Sequence, residues 1–293
     1  MFSKMNMKRI VLWLFTAMVI SFMIAGSILV SQGVDETILG GGFNIEQKNI
    51  DEERTHNLSD VKGVDINTVS TDINIIPVDS NEIKVHLYGN VKSSSQMPGP
   101  ELVSEIRGGR LYIEVKHRVK IHIGISFNEN NLKLDILLPK SYASSIDADT
   151  VSGNLNIREF NLDELSFSSV SGNLLASSVN TMKASFNTTS GKIECGGFSG
   201  DMDFNSISGD MDVEYSTYNN NITANTTSGH TKIKLPEGSQ FNLEFNSATG
   251  DFKSDFPMTT SGASGKNRVK GNVGSSSNTI NIGTVSGDAE ITK

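Results

Sequence analysis

Ser145-Ile146-Asp147-Ala148-Asp149-Thr150-Val151-Ser152-Gly153-Asn154-Leu155-Asn156-Ile157 is answered nineteen residues later by Glu164-Leu165-Ser166-Phe167-Ser168-Ser169-Val170-Ser171-Gly172-Asn173-Leu174-Leu175-Ala176. The closing Ser-Gly or Thr-Gly recurs with glycines at Gly153, Gly172, Gly191, Gly209, Gly229, Gly250 and Gly287, at gaps of 19, 19, 18, 20, 21 and 37. A fixed period of this kind is read before any single element, because it marks a repeat architecture. The last gap is close to two periods, which predicts one degenerate or enlarged repeat between residues 255 and 275.

Columns counted from the glycine carry the pattern. Seven residues before it stand Ile146, Leu165, Ala184, Met202, Ile222, Leu243 and Ile280, and five before it Ala148, Phe167, Phe186, Phe204, Ala224, Phe245 and Ile282. Two after it stand Leu155, Leu174, Ile193, Met211, Thr231, Phe252 and Ala289, and four after it Ile157, Ala176, Cys195, Val213, Ile233, Ser254 and Ile291. Apolar residues at spacing two on both flanks predict two half-buried strands per repeat. The alternation changes phase between the flanks, so the chain must bend there. Asp149, Ser168, Asn187, Asn205, Asn225, Asn246 and Gly283, four before each glycine, place the expected corner. The glycine beside it allows a second adjustment or close packing. Positions one and three before each glycine are always Ser or Thr, which predicts hydroxyl ladders serving backbone groups rather than nucleophiles.

Residues 64–75 are an eighth copy with Thr71 in the place of glycine. Between it and the main array, Ile83-Val85-Leu87, Leu111-Ile113-Val115, Ile121-Ile123-Ile125 and Leu132-Leu134-Ile136 alternate at positions two apart, as degenerate coils or as hairpins closing that end. The loop at Met97-Pro98-Gly99-Pro100 interrupts the ladder. About 19 residues is too short for a unit containing a helix or for a propeller blade. One coil cannot bury its own apolar face, so coils stacked about 4.8 Å apart are expected, giving an all-β, solenoid-like rod of roughly 35–40 Å. An antiparallel meander or sandwich of hairpins is the alternative.

Residues 10–30 form an uncharged apolar run, preceded by Lys4, Lys8 and Arg9. As a helix the run spans about 31 Å, enough for a bilayer core of about 30 Å, with the basic side expected in the cytoplasm. A cleaved signal peptide is the rival, with Ala25-Gly26-Ser27 as its cleavage point, and no Cys follows to make a lipoprotein anchor. The expected organisation is a cytoplasmic 1–9, a transmembrane helix 10–30, a stalk 31–60 containing Gly40-Gly41-Gly42, and an extracytoplasmic β-repeat domain 61–293.

Motifs such as Asp149-Thr150-Val151-Ser152-Gly153-Asn154-Leu155, Ser206-Ile207-Ser208-Gly209-Asp210-Met211 and Thr284-Val285-Ser286-Gly287-Asp288-Ala289 resemble the repeats of a bacterial adhesin domain family, long catalogued as a domain of unknown function. Leu138-Pro139 and Leu235-Pro236, with leucine 15 residues before a repeat glycine, resemble it too. The likeness covers roughly residues 60–293. An N-terminal anchor joined to such a domain is similar to the LiaG-type membrane proteins encoded with envelope-stress regulators in Bacillus-like bacteria. The resemblance implies surface interaction and supplies no catalytic residues, and fold alone does not fix function.

The remaining chemistry is sparse. A net charge of −8 without a basic stripe argues against nucleic acid. The single Cys195 excludes an intrachain disulfide and a multi-cysteine metal site, and reads as a small buried hydrophobe. Asp147 with Asp149, Asp201 with Asp203, and Asp210 with Asp212 share strand faces, as an acid–base pair would, but fall in different columns and read as solvated acids. Asp210, Asp251 and Asp288 share the column after the glycine with Asn154 and Asn173, an oxygen-rich edge that could hold calcium. Lys192 and His230 in the same column oppose that reading.

The histidines are His56, His86, His117, His122 and His230, and the odd spacing of His117 and His122 argues against a zinc pair on one strand. Lys116, Arg118 and Lys120 form a small basic strand face able to meet an anionic wall polymer or lipid headgroups. Trp13 lies in the apolar run, which leaves Tyr112, Tyr142, Tyr215 and Tyr218 as candidate sugar platforms. No catalytic, metal or cofactor residues are therefore assigned. The expected partners are the cell membrane through the N-terminal helix and a protein or cell-wall polymer. The alternatives are a regulatory membrane protein of an envelope-stress system and, behind it, a polysaccharide-active β-helix enzyme.

Overall fold

The computed structural model describes residues 45–94, 99–116, 131–261, 265 and 267–293. The expected helix at 10–30 and the stalk up to residue 44 lie outside them. Among the described residues the chain is all-β, with one short 3-10 turn at Leu58–Asp60, and no helix is long and apolar enough to cross a membrane.

The columns pair as the period requires. Leu155, Leu174 and Ile193 lie side by side in parallel strands, and so do Leu165, Ala184 and Met202. Phe167, Phe186 and Phe204 stack in the same way five places before their glycines, all fully buried. One set of strand segments forms a sheet from Gly63–Asn67 through Ser145–Asp149, 164–168, 183–188, 201–205 and Ile222–Asn225. The segments following each glycine form a second sheet, from Asp72–Val78 through 155–158, 174–177, 193–195, Met211–Tyr215 and Thr231–Lys234. The apolar columns of both sheets point into one core. At about 25 cal/mol per Å² of apolar surface, one coil alone cannot offset its ordering entropy, and its two neighbours supply the missing burial.

Each coil has two corners. The first is the Ser/Thr-x-Ser/Thr-Gly segment itself, one to four residues later than the sequence placed it. Asp149, Asn187 and Asn225 are still in strand conformation. The second lies six residues after the glycine, where Glu159, Ser178 and Gly197 take φ of 58°, 54° and 64°. Past that corner Phe160, Val179 and Phe198 turn inward and are buried.

The repeat glycines have a steric role rather than a conformational one. A Cβ added at Gly172 would fall far inside contact distance of the Gly153 carbonyl oxygen, and the same holds for Gly191 on Gly172 and Gly229 on Gly209. The coils approach too closely at this corner for any side chain.

Sequence order and spatial order part at both ends. The last coil, Thr279–Gly283 with Ala289–Thr292, inserts between the coil of Ile222–Lys234 and that of Phe241–Ser254. The degenerate repeat expected at 255–275 is instead an antiparallel excursion: Arg268–Val273 pairs with Phe241–Asn246 on one side and Thr259–Thr260 on the other. At the opposite end, Arg110–Lys116 and Lys133–Pro139 form a parallel coil beneath Gly63–Val78, each carrying an antiparallel partner, Glu101–Arg107 and Glu82–Ser94. Residues 82–138 thus contain both a degenerate coil and hairpin strands, while Ile121-Ile123-Ile125 lies outside the described residues.

The expected stalk is corrected from residue 45 onward. Ile45–Asn57 is a 13-residue strand antiparallel to Glu82–Ser94 at the sheet edge. Backbone hydrogen bonds hold an edge strand without a continuous apolar face, so its polar composition misreads as linker. Its charges, Asp51 to Arg54, discourage further pairing with another chain.

Replacing Gly191 by Ala is expected to cost about 2–4 kcal/mol, through forced separation of two coils. Asp203→Ala on the outer face should stay within about 0.5 kcal/mol. Equal denaturant midpoints for the two variants would overturn the close-approach account.

Candidate binding surface

A stack of bends poses a donor problem, and the Ser/Thr and Asn/Asp columns answer it. Three residues before each glycine, the hydroxyl accepts the glycine N–H: Thr150 from Gly153, Ser169 from Gly172, Thr188 from Gly191, Ser206 from Gly209 and Thr226 from Gly229, at 2.5–2.9 Å. Ser247 and Thr284 do the same for Gly250 and Gly287. The hydroxyls one before the glycine make only longer contacts, 3.3–3.5 Å in Ser171 and Ser190, while their backbone N–H groups donate to the preceding coil. The hydroxyl ladder predicted from sequence is therefore built mainly from one of its two columns.

The column after the glycine forms a second ladder. Asn154 N–H donates to Asp72 Oδ1 at 3.0 Å, Asn173 N–H to Asn154 Oδ1 at 3.0 Å, and Lys192 N–H to Asn173 Oδ1 at 2.8 Å. His230 N–H donates to Asp210 Oδ1 at 2.7 Å, and Asp251 N–H to Asp288 Oδ1 at 2.8 Å. Of the acids considered for calcium, Asp251 and Asp288 stand on adjacent rungs and Asp210 is separated from them by the His230 rung, and each of Asp72, Asp210 and Asp288 gives an oxygen to a neighbouring backbone. Lys192 has no acceptor to pass on, which breaks the ladder before Asp210. Among the described residues no group of three or more His, Cys, Asp or Glu is arranged to hold a metal.

The acid pairs separate by environment. Arg110, on the end coil, reaches across to Asp65, to Asp147 at 2.6 Å and to Ser145 Oγ at 3.2 Å. Its hydrogen bond to Asp65 holds the guanidinium pKa above its ordinary value. Asp147 is therefore an ion-pair partner rather than a free acid. Asp149, one step along the same strand, is pushed above the usual carboxylate range by partial burial and by Asp147 and Asp65, against an opposing hydrogen bond from Ser168. Asp201 Oδ1 accepts the Asn221 N–H at 2.8 Å.

The other candidates scatter. His56 bonds Ser104 at 2.7 Å, with burial lowering its pKa, His86 contacts Asp51 at 2.7 Å, and His230 sits in the ladder. His117, His122, Arg118, Lys120 and Trp13 lie outside the described residues. Cys195 is buried, and burial raises its thiol pKa well above the ordinary range. Of the tyrosines, Tyr142 and Tyr215 belong to the core, Tyr218 packs edge-on against Tyr215, and Tyr112 lies beneath Arg107.

Sequence reasoning missed Tyr88, which stacks on His86 with centroids 4.8 Å apart and donates to Asp135 Oδ2 at 3.1 Å. Its signal was present in the alternation of Ile83-Val85-Leu87, which turns His86 and Tyr88 outward. Also missed was a third ladder: Asn180 Nδ2 donates to Asn161 Oδ1 at 2.8 Å, and Ser199 Oγ to Asn180 Oδ1 at 2.9 Å.

These elements leave two long, regular outer faces. A shallow open groove of about 350 Å³ lies on one of them, lined by Asp72, Asn74, Lys133, Asn154, Asn156 and Leu175 among others.

A sequence profile of the Toastrack DUF4097 family matches residues 61–194 and, in a second overlapping register, 149–292. No curated protein matches the chain. Among solved structures, a candidate adhesin from Bacteroides fragilis is similar at 15% identity, covering 83% of this chain and 97% of its own, with a TM-score of 0.45. A candidate cell adhesion protein from Clostridium sporogenes is similar at 15% identity, covering 84% and 99%, with a TM-score of 0.36. A candidate lipid-binding protein from Parabacteroides distasonis shows 17% identity, covering 82% and 96%, with a TM-score of 0.39. Likeness at this distance says nothing of ligand or activity.

Arg110→Met is expected to destabilise the domain by about 1–2 kcal/mol, discounted for partial exposure, because Asp65 and Asp147 then face each other unpaired. Adding Asp147→Asn should recover part of that loss in thermal melts. A double variant no better than the single one would show that the triad contributes nothing as a unit.

Proposed function

We propose that this chain, which belongs to the Toastrack DUF4097 family, is a membrane-anchored, extracytoplasmic binding module that works by surface contact rather than by catalysis. The observation that carries this reading is how the polar side chains are used. The repeated hydroxyls, several ladder carboxylates and the amides hold neighbouring backbone across the stack, and the outward columns form long flat arrays. Such arrays suit extended partners. The adhesin-type repeat motifs support the same reading. Anchoring rests on the uncharged run at 10–30 behind Lys4, Lys8 and Arg9, which is long enough to span a bilayer and oriented to send the repeats outward.

The single buried Cys195 makes topology simple to measure. Met182 is 69% exposed, so Met182→Cys places one reactive thiol on the domain surface. In intact cells a membrane-impermeant maleimide is expected to label Met182→Cys and to spare the wild-type chain. Carbonate washing should leave the protein with the membranes, and detergent-solubilised full-length protein should be retained on purified cell walls. Labelling only after lysis would overturn the outward orientation. Release by carbonate would overturn the anchor.

A further inference from the structure

The outer face of the second sheet changes character along its length. Beyond Leu175 its middle column runs Glu194, Asp212, Lys232, Glu290, Lys253, a series of charges, with pairs such as Lys192–Glu194 at 2.7 Å and Lys234–Glu214 at 3.0 Å. Towards the other end the face becomes amide-rich and partly apolar. Tyr88 lies opposite Lys133, Lys133 opposite Asp72, and the ladder continues through Asn154 to Asn173. Beside this row Asn156 is exposed and Leu175 is 43% exposed, a large apolar side chain left in solvent on a strand whose inward positions are filled. The groove described above lies along this segment.

The geometry points to this segment, from Tyr88 to Leu175, as a binding site for an extended uncharged glycan laid across the strands. The inference rests on the surface-module reading and gives it a ligand class. A primary amide carries two N–H donors, and the ladder uses one from Asn154 and one from Asn173, at 2.9 and 3.1 Å, so a donor per rung is left for a ligand hydroxyl. Asp135 holds Asn74 Nδ2 at 2.7 Å and the Tyr88 hydroxyl at 3.1 Å, which fixes two polar groups in orientation before any ligand arrives. Tyr88 stacked on His86 at one end and Leu175 at the other offer apolar surface to the C–H faces of sugar rings. A pyranose ring is about as long as the strand spacing of about 4.8 Å, so a β-linked chain can place one sugar on each rung. Charge selects the class of polymer. Lys133 is the one cation among the groove residues, against Asp72 in the groove and Asp135 and Asp51 beside it, which disfavours a polyphosphate or polyuronate.

The test titrates the full-length chain, in a detergent without a sugar headgroup, with the β-1,4-linked tetramer of N-acetylglucosamine, followed by calorimetry. Saturable binding is expected, weakened about tenfold by Asn156→Ala and by Leu175→Lys, and unchanged by Lys253→Ala at the charged end. Both weakened variants change exposed side chains, and a thermal melt like that of the wild type checks that each is folded. No saturable binding overturns the proposal, as does binding that survives both substitutions. Binding of poly(glycerol phosphate), lost in the same variants while the tetrasaccharide fails to bind, overturns the uncharged class. If the tetrasaccharide fails but the protein is still retained on purified walls, this site falls and the surface-module reading stands. If retention fails as well, both fall.

Discussion

In a parallel stack of similar turns, every backbone group at a bend faces the same bend one rung away, and this constraint shapes the motif. The strands satisfy themselves by ladder pairing. The bends do so only in part. The carbonyl two places before the glycine takes two donors from the next coil, as Val69 O does from Val151 and Ser152. The glycine N–H has no such carbonyl and turns to the hydroxyl three residues back. The following N–H reaches the side-chain oxygen of the coil beneath. Ser/Thr-x-Ser/Thr-Gly-Asn/Asp is thus a solution to buried-donor accounting, and glycine is fixed by the carbonyl packed where its Cβ would be.

Stacks of this kind have a weakness at their ends, where a terminal coil has one neighbour and an open edge. Here the first repeat in the chain, Gly63–Val78, and the last, Thr279–Thr292, are each sandwiched between two other coils. The outermost coils belong to mid-chain excursions whose two connections both return to the stack. Peeling the last repeat therefore requires opening two interfaces at once, which couples the terminal residues to the core more strongly than simple sequential stacking would. The antiparallel strands beyond them cover part of the remaining edge.

This arrangement also explains what the sequence could reveal. The inward columns were legible because each is repeated seven times and a lost apolar residue, such as Ser254 or Thr231, is outvoted by its neighbours. The inserted position of residues 279–292 was not legible, since any coil presents the same columns to any neighbour and local sequence carries no record of who that neighbour is. The enlarged gap at 255–275 signalled an irregularity without its direction. The corner at Glu159, Ser178 and Gly197 was hidden because three different residue types reach positive φ there. Ile45–Asn57 was hidden because its place rests on backbone pairing to Glu82–Ser94. On the candidate surface, the column after the glycine was legible as an oxygen-rich edge, but its use as a backbone acceptor was not.

On the surface-module reading, contact with a partner falls to the outward columns. Inward positions answer to packing, the glycine to coil contact, and the hydroxyl and amide columns to bend donors, so substitution in any of them is felt first as stability. The residues three after each glycine escape all three demands. Asn156, Leu175, Glu194, Asp212, Lys232, Lys253 and Glu290 occupy that column, and their chemistry changes from amide and apolar to charged along the stack. Asn156 and Leu175 are the two uncharged residues of the seven, and they stand on adjacent rungs. Leu175 is the one large apolar side chain in that column, 43% exposed. The proposed glycan site draws on that uncharged end of the column, where a substitution is expected to change binding before it changes stability.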